Sequence, residues 1–473
     1  MAIEGSGKSD RAVAGVFCFV LGLAFATSLY ASLSARGLFG DGVYYLYRIA
    51  VGQWFHSVDP PRTTVNLLRQ APIVLLTRYS GLSMFERGQA FTFIMLVLPA
   101  AFCAICWRIA PPDRKGWVIF PLLDLTATSS ATSFFANSEA STATSYWWCL
   151  MFMVMFRTRK PLSQLLFLAL CVPAFQLQEG IFPLMLVLLL ACVVRLMEAV
   201  AWRDRFFLSL SSLLIVSIIF YELRWVIDPR IPANRAGILH SLAYAEYLVL
   251  GGRLNLPLVT GLVALLALGG VILTQWRLRG SRASLRSRQI AVCFCAFSVA
   301  AAAASVLVDA SFAPGAQLAA RYQPVMISFG LGLIMLGFEH WNVPERIWLR
   351  PATFTIIAAL GVAQATADIA ATWRWQAYVA DLDSRLQSSR GLIRWEDTLN
   401  TGDAAKDTNW RLMSIEWVIP LMSIAMARNG VVTTMINTRP DIAFRPMDAS
   451  RPDQFPVIRG VDFSPYRAAI GNR

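Results

Sequence analysis

Charge is scarce in this chain. Only 15% of its 473 residues are Asp, Glu, Lys or Arg, against about 25% in soluble domains, and that shortage excludes an ordinary soluble surface. Histidine is scarcer still: His56, His240 and His340 are the only three, and none stands at metal-ligand spacing. The eight cysteines all lie inside apolar runs, where a thiol behaves as a small hydrophobe, so no disulfide framework follows from them. Cys293 and Cys295 are two apart and on a helix would face different ways. The basic loops hold no Gly-rich phosphate cradle and no Walker pattern, which sets aside a cytosolic nucleotide-driven reaction. Internal repeats, low-complexity tracts and polar linkers are also missing.

What fills the chain is apolar: 56% of it is hydrophobic and the mean hydropathy is +0.53. So much apolar surface cannot be hidden in soluble cores, which stop growing near about 250–300 residues. The composition therefore predicts an α-helical polytopic membrane protein. A spanning helix needs about 20 apolar residues, and about eleven runs approach that: 12–32, 89–107, 117–135, 144–156, 162–178, 181–195, 206–221, 256–275, 289–308, 323–338 and 351–372. The first is longer than the roughly 7–15 apolar residues of a signal peptide, so it reads as an uncleaved helix.

The net charge of +13 marks topology rather than a nucleic-acid partner. Lys and Arg collect around 108–115, 157–160, 195–205 and 277–288, whereas the short loops 136–143 and 178–181 carry none. By the positive-inside rule the N-terminus is cytoplasmic and the tail from Trp373 is outside. Trp107, Trp117, Trp147, Trp148, Trp276, Trp348, Trp373 and Trp375 stand at run ends, where an indole prefers the interface.

Two regions follow: a transmembrane bundle over 1–372, with a long first outer loop at 33–88, and a small outer α+β domain over 373–473. In that tail Ser414–Asn429 reads as an amphipathic helix ended by Gly430, and Val431–Ile436 as a strand. In the first loop, 61–80 mixes Leu67, Leu68, Ile73, Leu75 and Leu76 with Arg62, Arg69 and Arg78, the pattern of a helix lying in the interface.

Chemistry belongs on the outer face. Asp41 sits in Gly40-Asp41-Gly42 and is followed by Tyr44, Tyr45, Tyr47 and Arg48, a carboxylate beside rings able to stack on a sugar; the same residues also suit an interfacial turn. Glu139 and Glu179 are each the only charge of a short outer loop. A carboxylate at a membrane boundary is costly without a partner or a function, so the three acids form a candidate cluster. Arg321-Tyr322 opens the tenth run and presents a guanidinium, the natural partner of phosphate. Arg48 and His240 are weaker candidates. Asp124 and Asp368 lie within runs and read as packing or relay groups.

These features, Asp41 within Gly40-Asp41-Gly42-Val43-Tyr44-Tyr45, Ser138-Glu139 and Arg321-Tyr322, together with an outer C-terminal domain, resemble the GT-C superfamily of integral-membrane glycosyltransferases. The resemblance implies a polyprenyl-phosphate-linked sugar as donor, a glycan, lipid or protein as acceptor, and a site at the periplasmic side of a bacterial inner membrane. It implies Asp41 as general base, Glu139 as a group that positions the acceptor or helps bind a divalent metal, and Arg321 as the stabiliser of the phosphate leaving group. Many members carry paired acids in the first loop; here Asp41 is followed by Gly42, which leaves the metal open. A transporter or flippase of lipid-linked sugars, and a glycan polymerase or ligase, are the alternative readings.

Overall fold

The computed structural model describes residues 4–34, 46, 49, 62–82, 84–128, 139–156, 160–177, 181–226 and 349–387. Among these residues every regular element is helical: α1 (Glu4–Ser32), α2 (Thr63–Tyr79), α3 (Met84–Ile109), α4 (Ile119–Thr128), α5 (Glu139–Phe156), α6 (Pro161–Cys171), α7 (Phe182–Glu198), α8 (Trp202–Val226) and α9 (Leu349–Gln387), with 3-10 turns at Pro112–Val118 and Pro173–Gln176. Four segments are long and apolar enough to cross a bilayer: Ala12–Ser32, Glu86–Ile109, Trp202–Glu222 and Thr353–Ala370. Pro161–Gln176 and Leu184–Met197 are shorter apolar helices. The chain is an α-helical membrane protein. The runs 256–275, 289–308 and 323–338, and the tail beyond Gln387, lie outside the described residues.

The chain divides into two compact units, one of residues 1–25, 59–65 and 97–367, the other of 26–58, 66–96 and 368–473. At the centre of the first is α5. Every side chain from Thr142 to Val154 is buried, and a helix covered on all sides is an interior one. It packs against α4, α6 and α7, and α7 packs in turn along α8. Polar atoms on its aromatic rings find partners across the helices, as buried rings require: Tyr146 Oη donates to the Leu170 carbonyl at 2.6 Å, Trp147 Nε1 to the Leu184 carbonyl at 2.8 Å and Trp148 Nε1 to Asp124 Oδ2 at 3.0 Å.

Trp147 and Trp148 are thus interior residues, 0% and 2% exposed, and not the interfacial anchors that their place in the sequence predicts. The reason is where α5 begins. Its first turns, Glu139-Ala140-Ser141-Thr142, are polar yet helical, which carries the two indoles about 12–14 Å along the helix at 1.5 Å per residue.

Elsewhere in this unit Phe17 stacks on Trp107 at 4.4 Å, joining α1 to α3, and Ala100, Cys103 and Leu125 form a small core against Leu21 and Ala24. Gly361 on α9 brings its backbone close to Val20 on α1: a Cβ built there would lie 3.2 Å from Val20 Cγ2. Gln164 Nε2 donates to Asp204 Oδ1 at 2.9 Å, tying the starts of α6 and α8. The described cysteines are free thiols, all buried except Cys18, as small hydrophobes should be.

In the second unit Trp373 Nε1 donates to Tyr30 Oη at 2.5 Å, and Gln89 Nε2 donates to the Leu33 carbonyl. The part of α2 that belongs here is amphipathic in an inverted sense. Asn66, Arg69 and Gln70 are buried together with Ile73 and Val74, whereas Leu67, Leu75, Leu76 and Tyr79 are exposed. Asn66, Arg69 and Gln70 turn inward while leucines and Arg78 turn outward, a mixed outer face that suits a helix at an interface, where leucines meet lipid and a guanidinium meets headgroups.

Candidate functional site

Glu139 is the one member of the acid cluster among the described residues. It opens α5, so its carboxylate sits at a helix N-terminus, where unpaired backbone N–H groups favour negative charge. It is 8% exposed. Arg62, the residue just before α2, brings Nη1 to 3.5 Å from Glu139 Oε2. A guanidinium at that distance offsets part of the desolvation cost of a buried carboxylate. Arg62 therefore ties the residue before α2 to the start of α5.

The contact narrows what Glu139 can do. A carboxylate positioned by a guanidinium presents oxygens that can accept hydrogen bonds from hydroxyl groups. A divalent cation at the same oxygen would meet the positive charge of Arg62. Among the described residues no group of three or more His, Cys, Asp or Glu gathers around a point where a metal would bind.

Asp41, Tyr44, Tyr45, Arg48, Glu179, His240, Arg321 and Tyr322 lie outside the described residues. Arg62 itself is a residue that sequence reasoning passed over. It stood among the arginines of an amphipathic stretch, and the only signal was its place at the very start of that stretch, before any apolar residue. Also unforeseen is the Asp124–Trp148 hydrogen bond, which puts the carboxyl of α4 against the interior helix.

The first half of α5 is unusual in chemistry. Ser141, Thr142, Thr144 and Ser145 stand within six residues after Glu139, and Thr142, Thr144 and Ser145 are buried. Hydroxyls both donate and accept, so this stretch lines the interior with groups that suit a polar guest or a proton better than a hydrocarbon one. No family model, curated protein or solved structure matches the chain.

Proposed function

We propose that the chain is an inverting glycosyltransferase that moves a sugar from a polyprenyl-phosphate donor to an acceptor at the outer face of a bacterial inner membrane. The observation that supports this reading most is the Arg62–Glu139 contact. It joins the first outer loop to the start of α5, two of the segments where the resemblance expects functional acids. Lateral entry of a lipid-linked donor needs a site of this kind, built from outer loops above a helical bundle.

In this reading Asp41 takes the proton of the acceptor hydroxyl as its oxygen attacks the anomeric carbon. The bond from that carbon to the phosphate oxygen breaks on the opposite side, so the configuration inverts and the polyprenyl phosphate leaves. Arg321 stabilises the charge that grows on the departing phosphate. Tyr44 and Tyr45 stack on the sugar, and Arg48, Tyr322, Glu179 and His240 contact donor or acceptor. Glu139, fixed by Arg62, orients the acceptor hydroxyls.

The test is sugar transfer by the purified protein in lipid, with a panel of polyprenyl-phosphate sugars and with Asp41→Asn alongside the wild type. Loss of turnover in the variant, with folding and donor binding kept, is the expected result; full activity in Asp41→Asn removes it as the base. A second reading, a transporter or flippase of lipid-linked sugars, draws on the buried Asp124, because ionisable groups deep in a bundle often serve transport. Absence of turnover with every donor moves the weight to it.

A further inference from the structure

Asp124 plays no part in the transfer reaction above, yet its surroundings are built. It lies in the middle of α4 and is 1% exposed. On α5 it meets the indole N–H of Trp148 at 3.0 Å. On α3 the neighbouring thiol is Cys103, whose own hydrogen bond runs to the Pro121 carbonyl one turn before Asp124. Both groups are neutral, and an indole N–H can donate to a carboxyl oxygen whether or not the carboxyl carries a proton.

Trp148 does not stand alone on its face of α5. Residues three, four and seven positions apart share one side of a helix, and counting back from Trp148 gives Ser145, Thr144 and Ser141. Because Thr142–Val154 is buried all round, Thr144 and Ser145 of this stripe face protein and not lipid, and Ser141 is half-buried. The stripe begins two residues, about half a turn, after Glu139 and the Arg62 contact, and it reaches the level of Asp124 after about 10 Å. One turn separates neighbouring hydroxyls by about 5–6 Å between Cβ atoms, a gap that one bridging water closes.

We propose that Asp124 is a proton-binding carboxyl inside the bundle, loaded and unloaded from the Glu139 end of α5 along Ser141, Thr144 and Ser145. The ligand is the proton, and each hydroxyl passes it by accepting on one side and donating on the other. The proposal is independent of glycosyl transfer, since it concerns what reaches a group that the reaction does not use.

Infrared difference spectroscopy of the full-length protein in nanodiscs tests it. The wild type should show a protonated-carboxyl C=O band that disappears in Asp124→Asn, and the band should shift on transfer to D2O. In the double variant Thr144→Val with Ser145→Ala the shift should slow by about tenfold or more. The proposal is overturned by the absence of an Asp124 carboxylic-acid band, which would mean an ionised group or one holding a metal cation, and equally by an exchange rate that the double variant leaves unchanged. Should Asp124→Asn fail to fold, dicyclohexylcarbodiimide on the wild type decides. A protonated carboxyl adds across one C=N bond to give an O-acylisourea, which rearranges to a stable N-acylurea with no atom lost. An adduct mapped to Asp124 supports the proposal, and an unmodified Asp124 refutes it.

Discussion

The close approach of α9 to α1 makes a sharp prediction at Gly361. A methyl placed there would stand 3.2 Å from Val20 Cγ2 and 3.6 Å from Cγ1, whereas carbon atoms settle at about 3.5–4.0 Å. Val20 is 2% exposed, and a β-branched side chain in a helix has essentially one rotamer, so it cannot swing aside. For Gly361→Ala the helices need to part by a few tenths of an ångström, and the cost is set against about 0.5–1 kcal/mol gained by replacing glycine in a helix. The expected net change is within about 1 kcal/mol. Gly361→Leu forces a branched side chain into the same filled space and is expected to cost about 1–3 kcal/mol, as overpacking does. Val20→Ala removes the obstructing methyls and should recover at least about 1 kcal/mol of that loss in a double-mutant cycle. The assay is unfolding of the purified protein in mixed micelles by titrated dodecyl sulfate, followed by far-ultraviolet circular dichroism. A Gly361→Leu protein as stable as the wild type, or one that Val20→Ala leaves unimproved, would refute the close packing of α1 on α9.

Two further outcomes are expected. Arg62→Ala leaves the largely buried Glu139 carboxylate without its guanidinium and should destabilise the fold by about 1–3 kcal/mol; adding Glu139→Gln should return part of that loss, and strictly additive losses in the same titration would show the two residues to be uncoupled. For α2, a tryptophan introduced at Leu75, which is 55% exposed, should be quenched strongly by brominated lipids and weakly by aqueous iodide; the opposite order would place that face in water.

Much of the helical layout was legible because long apolar runs have few alternatives. The run at 12–32 coincides with the membrane-length part of α1, Ala12–Ser32, and those at 89–107, 206–221 and 351–372 fall inside α3, α8 and α9. Ends were harder to read where the helix outlasts its apolar stretch. The run 144–156 omits the polar opening of α5, since hydroxyl-rich turns look like loop until neighbouring helices bury them. That omission placed Glu139 in a loop and Trp148 at an interface. The inward-facing polar side of α2 was hidden for a related reason: composition reports a mixture of leucine and arginine, and only tertiary packing decides which face turns inward. Arg62 and the Trp148–Asp124 bond depend on contacts between segments 77 and 24 positions apart, and spacing within one helix carries no trace of such pairs.

The full burial of α5 also bears on how the protein is made. This helix is absent from the segments apolar enough to cross a bilayer by themselves, since its first turns expose a carboxylate and hydroxyls that hydrocarbon would not tolerate. During synthesis it would therefore stay at the translocon until α6 and α7 emerge to cover it, and the bundle would leave the insertion machinery as a group rather than one helix at a time.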